Sequence, residues 1–337
     1  MKKVSIIDVA REAGVSVSTV SLVLRQKGKI SAPTIARVQE VIARLGYVHN
    51  VTAANLRAST SNLIGLIVED FSDSFTVKVA ASVVDALELQ GMMVFVTRIT
   101  DTSAQLASRL LALQRQGVAG VLYLSASSRQ EALPAELYQL TLPLVVISQS
   151  PKEGRVNRVE RDNYQAAVTA TRYLIDRGHR QIAYIGGEED CLMRRQRLAG
   201  VRWALNQAGL TAQTRLMPAC SADTAAAASA VRHLLAHQAG VSALLCHSAH
   251  VVIGAYSALR TMGRTVGKDI FLTSQTSVLG FEEMLQVNLT SPSLTWVSPD
   301  SEEIGRQAAS LLLRLTEESG PVQQITLTGY LMAGESA

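Results

Sequence analysis

From Asn62 onward the chain alternates short aliphatic runs with amphipathic segments, and this alternation limits the possible folds more than any other feature. LIGLIVED (63–70), MMVFVTR (92–98), GVLYLS (120–125), LPLVVIS (142–148), QIAYIGG (181–187), ALLCHS (243–248) and DIFLTS (269–274) read as strands buried on both faces. Helical patterns fall between them, over 75–90, 102–116, 163–178, 195–208, 223–237 and 251–263. Strands separated by helices build βαβ units, and hence parallel sheets covered on both faces. Two such sets imply two doubly wound subdomains. In such folds a ligand sits beyond the carboxyl ends of the strands, between the halves.

The first sixty residues follow a different rule. Ser5 precedes Ile6-Ile7-Asp8 as a capping box, and Gly14 closes that helix. Ser16 is placed to cap a second helix over 17–24, and Ser31-Ala32-Pro33-Thr34 opens a third, which ends before Gly46. The middle segment, VSVSTVSLVL (15–24), alternates like a strand. Two flanking helices and a short glycine-containing turn favour a helix, because packing overrides a propensity cost of a few tenths of a kcal/mol per residue, roughly. On that helix Val20, Val23 and Leu24 share the face that would pack on Val9, Ala10 and Val38. Ser18, Ser21, Leu22 and Arg25 fall opposite, with Val17 at the border. A face of small hydroxyls, one exposed leucine and an arginine suits the DNA major groove, where hydroxyls reach phosphates or bases and apolar groups touch thymine methyls. The segment is therefore expected to be the recognition helix of a helix-turn-helix; a three-helix bundle that binds no DNA is the alternative.

Charge supports the polyanion reading. The net charge is +4, yet residues 1–60 hold nine lysines and arginines against Asp8, Glu12 and Glu40, which leaves the remainder near −2. No apolar run reaches the roughly 18 residues needed to cross a bilayer. The amino-terminal apolar run is broken by Asp8, Arg11 and Glu12, unlike a signal peptide, so a cytoplasmic location without membrane association is expected. Cys191, Cys220 and Cys246 are far apart and the six histidines form no ligand pattern, so neither a metal nor a cofactor is expected. No G-x-S-x-G elbow, Walker loop or G-x-G-x-x-G follows a strand; Gly186-Gly187 is a lone pair, and His179 after Gly178 fits a helix end. Catalysis is not expected.

The run D-V-A-R-E-A-G-V-S-V-S-T-V-S-L-V-L, then R-V-Q-E-V-I-A-R-L-G-Y-V-H-N from Arg37 and A-A-N-L-R-A, resembles the lactose-repressor/galactose-repressor family over nearly the entire chain. GVSVSTVSLVL, LRASTSNLIGLIV and QGMMVFV look most like its maltose-regulon repressor branch. The resemblance implies a homodimeric repressor that binds double-stranded, pseudo-palindromic operator DNA. Its fold would be an all-α helix-turn-helix domain plus an α/β effector domain of periplasmic-binding-protein type, with two doubly wound parallel-sheet subdomains. The implied boundaries are 1–49 for the DNA-binding domain and 50–61 for the hinge. The amino-terminal subdomain would take 62–160 with 291–320, and the carboxyl-terminal one 161–290 with 321–337. No heptad tail follows Leu331, so a dimer is expected.

Matched residue by residue, Val17, Ser18 and Leu22 occupy base-reading positions. Ser5, Ser16, Thr19, Ser21, Ser31, Thr34 and Asn50 occupy positions that bond phosphates or anchor the module. Ala53–Ala58 matches the hinge helix, whose leucine, here Leu56, would wedge into the minor groove; an ordinary flexible linker over TAANLRASTS (52–61) is the alternative, which nothing in its composition excludes. Many relatives carry arginine where this chain has Leu22, so a base with an apolar edge, such as thymine, is expected opposite it.

The expected effector cleft collects Glu69, Asp70, Phe71, Asp73 and Phe75 after the first strand, Arg98 and Asp101 after the second, and Ser148 after the fourth. Asp162-Asn163 begins a helix, and Arg197 matches the arginine that grips the effector. His247-Ser248-Ala249-His250 and Ser274-Gln275-Thr276-Ser277 stand where sugar-responsive members place carboxylates. Ser148 replaces a frequent aspartate, and Cys220 replaces an aromatic. Arg98, Arg194, Arg195 and Arg197 leave an excess of cationic groups. Two readings follow: an effector that is a sugar or, given the arginines, a sugar phosphate held by guanidinium forks, or an effector site that has decayed, leaving constitutive DNA binding. Cys220, Ser248 and Thr276 complete the expected contacts.

Overall fold

The computed structural model describes residues 4–24, 28–47, 61–71, 74–100, 102–125, 141–147, 156–267, 275–282 and 292–337, with 102–104 as backbone only. Arg25, Asn50, Ala53, Leu56, Asp73, Asp101 and Ser148, and the strand expected over 269–274, lie outside these residues. The chain divides into two units, Met1–Ser61 and Asn62–Ala337.

Among the described residues the first unit holds three helices: α1 (Ile6–Ala13), α2 (Val17–Leu24) and α3 (Ala32–Leu45). Ser5 and Asp8 form the capping box, each side chain taking the other's backbone N–H, and Gly14 ends α1 in the left-handed region. Ser16 Oγ accepts the Thr19 N–H at 3.1 Å, which starts α2. Ser31 Oγ makes no backbone cap; it lies 2.8 Å from Thr34 Oγ1. The core is Val9, Ala10, Ala13, Val20, Val23, Val38 and Val41, so packing makes the β-branched stretch helical, as the flanking signals predict.

Among the described residues the second unit holds two sheets. The first is wholly parallel, in the order β2 (Met93–Arg98), β1 (Leu63–Val68), β3 (Gly120–Leu124), β4 (Leu144–Ile147), β5 (Asn157–Arg161), β11 (Gln324–Leu327). Helices α4 (Ser74–Glu88) and α10 (Ser301–Glu317) cover one face through Phe75, Val79, Val83, Leu87, Ile304 and Leu312. Helix α5 (Thr102–Arg115) covers the other through Leu106, Leu110 and Leu113. The second sheet runs β6 (Ile182–Ile185), β7 (Ala243–Cys246), β9 (Gln275–Gly280), β10 (Thr295–Ser298), β12 (Tyr330–Met332), with only β12 antiparallel; β8 (Thr265–Val266) pairs beside the start of β9. Helices α6 (Asn163–Asp176) and α7 (Leu192–Gln207) cover one face, α8 (Thr224–His237) and α9 (Ala249–Thr261) the other. Each pair touches backbone to backbone at a glycine. A Cβ on Gly200 would stand 2.4 Å from the Tyr164 carbonyl oxygen, and one on Gly254 2.6 Å from that of Thr224.

The chain passes between the halves after β5, after β10 and after β11. The expected passages near 290 and 320 therefore move. Residues 295–298, placed with the first half, are hydrogen-bonded into the second sheet, while 324–327, placed with the second, pair with β5. Both strands are four residues long, too short for a periodicity to declare itself. In this region the described strand of the second sheet is Gln275–Gly280. The last residues are built into the second half. Ser336 Oγ donates to the Val278 carbonyl at 2.6 Å and accepts the Thr295 N–H at 2.8 Å, and Tyr173 donates to the Ala337 carbonyl at 2.9 Å.

Candidate functional site

On the first unit, the outward side of α2 presents Ser16, Val17, Ser18 and Leu22, all exposed, with Thr19 and Ser21 half-buried. Leu22 lies against Gly28, where a Cβ would meet it at 3.5 Å. Ser5 and Ser16 are held by their capping bonds, and Ser31 and Thr34 sit together at the start of α3. Val17 and Leu22 are thus exposed beside these hydroxyls on one side of the helix.

In the second unit, the carboxyl ends of β5 and β9, one from each sheet, are brought together by Arg161 and Glu282. After β1, the Glu69 carboxylate is occupied by the chain itself, accepting from Tyr123 Oη and from Ser125 Oγ, the latter at 3.0 Å. Asp70 is half-buried and Phe71 exposed, and Phe75 is buried in α4. Arg161, the last residue of β5, lies over Phe75 with its guanidinium carbon 4.2 Å from the ring centroid. It faces Glu282 at 3.6 Å, and Glu282 also accepts the Ala249 N–H at 3.3 Å. Asp162 caps α6, taking the Gln165 N–H at 2.8 Å.

The four expected arginines serve different ends. Arg197 is fully buried: Nε donates to Asn163 Oδ1 at 3.0 Å, a second nitrogen donates to the His247 carbonyl, and the guanidinium stands over Phe281. Arg194 donates to the carbonyls of Gly186 and Met217 and so ties loops rather than lining a cleft. Arg98 is exposed at the end of β2 and donates weakly to the Glu69 carbonyl at 3.4 Å. Arg195 is exposed on α7. Two of the four cationic groups expected to be in excess, Arg194 and Arg197, thus donate to the chain's own acceptors, which buried guanidiniums need.

His247 is buried beside Arg194 and Arg197, its Nδ1 2.6 Å from the Tyr184 hydroxyl and its Nε2 4.0 Å from Cys191 Sγ. Burial first, then Arg197, Arg194 and Arg161, hold the imidazole well below its usual range, so it is neutral. Burial raises the Tyr184 phenol and keeps it protonated. The arrangement that satisfies both ring nitrogens has Tyr184 donating to Nδ1 and the Nε2 proton facing sulfur. Cys220 is half-buried across from Gly187, its thiol raised chiefly by burial. Ser248 stands before α9 with a buried hydroxyl that has no partner among the described residues.

Thr276 is a correction. It is fully buried near the start of β9, beside Val266, and its hydroxyl accepts from Arg264 at 3.3 Å; that is the opposite end of the strand from the cleft. An acid follows the strand that begins at Gln275. With β9 ending at Gly280, Phe281-Glu282 follow it, and a carboxylate stands where Ser274–Ser277 had been read as lacking one. The run TSVLG was the available signal. Arg161, Phe281 and Glu282 escaped the sequence reading, as did Asn163's role as acceptor for Arg197. Among the described residues no group of histidine, cysteine and acidic side chains is arranged to hold a metal ion, and no helix is long and apolar enough to cross a membrane.

A three-helix module of helix-turn-helix type, followed along the chain by two mainly parallel sheets covered by helices, defines a DNA-binding regulator of the periplasmic-binding type. Residues 5–50 match the profile of bacterial regulatory proteins of the lacI family, and 61–333 match that of periplasmic binding proteins and the sugar-binding domain of the LacI family. The chain is 35% identical to the maltose regulon regulatory protein MalI of Escherichia coli K12, over 99% of each. It is 28% identical to the ribose operon repressor of the same organism, over 98% of each. Among solved structures it is similar to a transcriptional regulator CelR–cellobiose complex (TM-score 0.72, 28% identity, 99% and 100% coverage). It shares the fold of a lac repressor dimer bound to operator and an anti-inducer (TM-score 0.84, 22% identity, 99% of each). The chain belongs to the LacI family and is a transcriptional regulator, not an enzyme.

Proposed function

We propose that the protein is a cytoplasmic, sequence-specific repressor that binds a pseudo-palindromic operator as a homodimer and is controlled by an uncharged sugar-like effector in the cleft. The observation that carries the DNA reading is the outward face of α2, where Val17, Ser18 and Leu22 stand exposed on a capped helix. Arg25 and the hinge residues Asn50, Ala53 and Leu56 are assigned to the same operator contact by resemblance. The homodimer reading is supported by strand β2. It ends the first sheet, nothing pairs with its free edge among the described residues, and it exposes Met93, Phe95 and Val96. An apolar edge of this kind is a liability unless a second copy covers it.

For the effector, Asp70, Phe71, Phe75, Arg197, Ser248 and the Arg161–Glu282 pair gather at the carboxyl ends of the sheets, where ligands of this fold class sit. With Arg194 and Arg197 donating to the chain's own acceptors, a neutral polyol is favoured over a sugar phosphate. MalI, the ribose operon repressor and the cellobiose-bound CelR are carbohydrate-related relatives, which agrees with this reading. The test is selection of bound duplexes from a random DNA pool by the full-length protein at fixed salt, followed by a screen of neutral sugars for release or enhancement. Salt-sensitive retention without sequence preference would sink the operator reading.

A further inference from the structure

Arg161 and Glu282 come from opposite halves of the second unit. Arg161 ends a strand of the first sheet and Glu282 follows a strand of the second, yet their charged groups meet at 3.6 Å with side chains only 15% and 8% exposed. Each is held on a second side. Arg161 lies on the Phe75 ring and donates to Met193 Sδ at 3.6 Å, and Glu282 takes the first N–H of α9. Charges this buried are stable only together, because water no longer solvates either one.

We propose that the Arg161–Glu282 pair is the charge-selecting element of the cleft: an internal counter-charge, spanning the two halves, that admits uncharged ligands and rejects anions. The proposal deepens the effector reading above and rests on it. An anion that approached Arg161 would have to displace Glu282, stranding a carboxylate without its counter-charge, or lie beside it and be repelled. Among the described residues the two buried arginines nearby do not compensate: Arg197 is committed to Asn163 and the His247 carbonyl, and Arg194 to two other carbonyls. Glu69 adds a second carboxylate at the same end of the first sheet. A hydroxyl-bearing ligand leaves the pair intact, donating to the remaining lone pairs of Glu282 and accepting from the guanidinium.

The test uses the full-length chain and inorganic phosphate as the anion probe, titrated calorimetrically at constant ionic strength. The expected result is no saturable phosphate binding by the unmodified protein. Glu282→Gln, close to isosteric, should gain it by about tenfold or more, and the double variant Arg161→Met with Glu282→Gln should lose that gain. Equal phosphate affinity in the unmodified protein and Glu282→Gln would overturn the proposal, and so would a gain that survives in the double variant. Should Glu282→Gln fail to fold, Glu282→Asp, which withdraws the carboxylate by one methylene, must show a smaller gain of the same sign. A calorimetric screen of neutral sugars on the same preparations keeps the two readings apart: binding of none by the unmodified protein strikes the effector reading, while the phosphate comparison alone decides the charge-selecting role of the pair.

Discussion

A Cβ placed on Gly187 would stand 3.0 Å from both Cε1 and Nδ1 of His247, so the imidazole occupies space that any other residue at 187 would need. The glycine also sits at φ 76°, where side chains are strained. Gly187→Ala is expected to cost about 2–4 kcal/mol, combining left-handed strain with overpacking. Placing it in a His247→Ala background should recover part of that loss, and denaturant unfolding of the two single variants and the double measures the coupling. Strict additivity would mean the two residues do not share this space.

Tyr184→Phe removes the hydroxyl that His247 Nδ1 faces at 2.6 Å inside a dry core. An orphaned buried nitrogen costs about 1–3 kcal/mol. A midpoint of urea unfolding equal to that of the parent would contradict the assigned hydrogen bond.

Acid should weaken the fold before most carboxylates titrate. His179 is lowered to about 4, first by burial and then by Arg177 and Arg180, and His247 is held well below its usual range by burial and then by Arg197, Arg194 and Arg161. An unfolded chain takes up these protons near pH 6.5, roughly, while the folded chain does not. Stability is therefore fully present above about pH 6.5 and lost as pH falls toward about 4. Unfolding midpoints measured from about pH 7 to about pH 5 should decline, and His179→Gln should flatten the decline. An equally steep decline in that variant would remove His179 from the account.

Operator specificity should follow Leu22. Leu22→Arg is expected to move the preferred base opposite this residue from one with an apolar edge, such as thymine, to guanine, because a guanidinium grips guanine bidentately, an exchange worth about 1–3 kcal/mol. Sequencing duplexes selected by each protein decides it: an unchanged base preference would take Leu22 out of the readout.

Strands β1, β3 and β4 were legible because both of their faces are buried and every residue is aliphatic or nearly so. Strand β5, NRVER, carries too little apolar patterning to be recognised, and its place in the sheet is fixed by its neighbours β4 and β11. In the head, caps at Ser5 and Ser16 and the glycine at 14 outweighed a misleading alternation. In the cleft, residue types were visible but their partners were not. Nothing local to Arg194 says that it will bond two carbonyls, and nothing local to Arg161 or Glu282 says that they will meet across 121 positions of chain. Such pairings exist only once both sheets have formed.

Ser336→Ala should destabilise the second half by about 1–3 kcal/mol, since it leaves the Thr295 N–H and the Val278 carbonyl without their buried partner. A thermal midpoint equal to that of the parent would argue that the last residues contribute little.

The threading of β10, α10, β11 and β12 between the halves has a consequence for biogenesis. The first sheet lacks its last strand until residue 327 has been made, and the second lacks its antiparallel edge until residue 332. Neither half can close its core while the ribosome is still working through the middle of the message. Both must wait, as open sheets, for the same late stretch of about forty residues, and contacts so distant along the chain are slow to form. A nascent chain stalled before that stretch would hold two unfinished sheets, a substrate for chaperones rather than a half-working regulator.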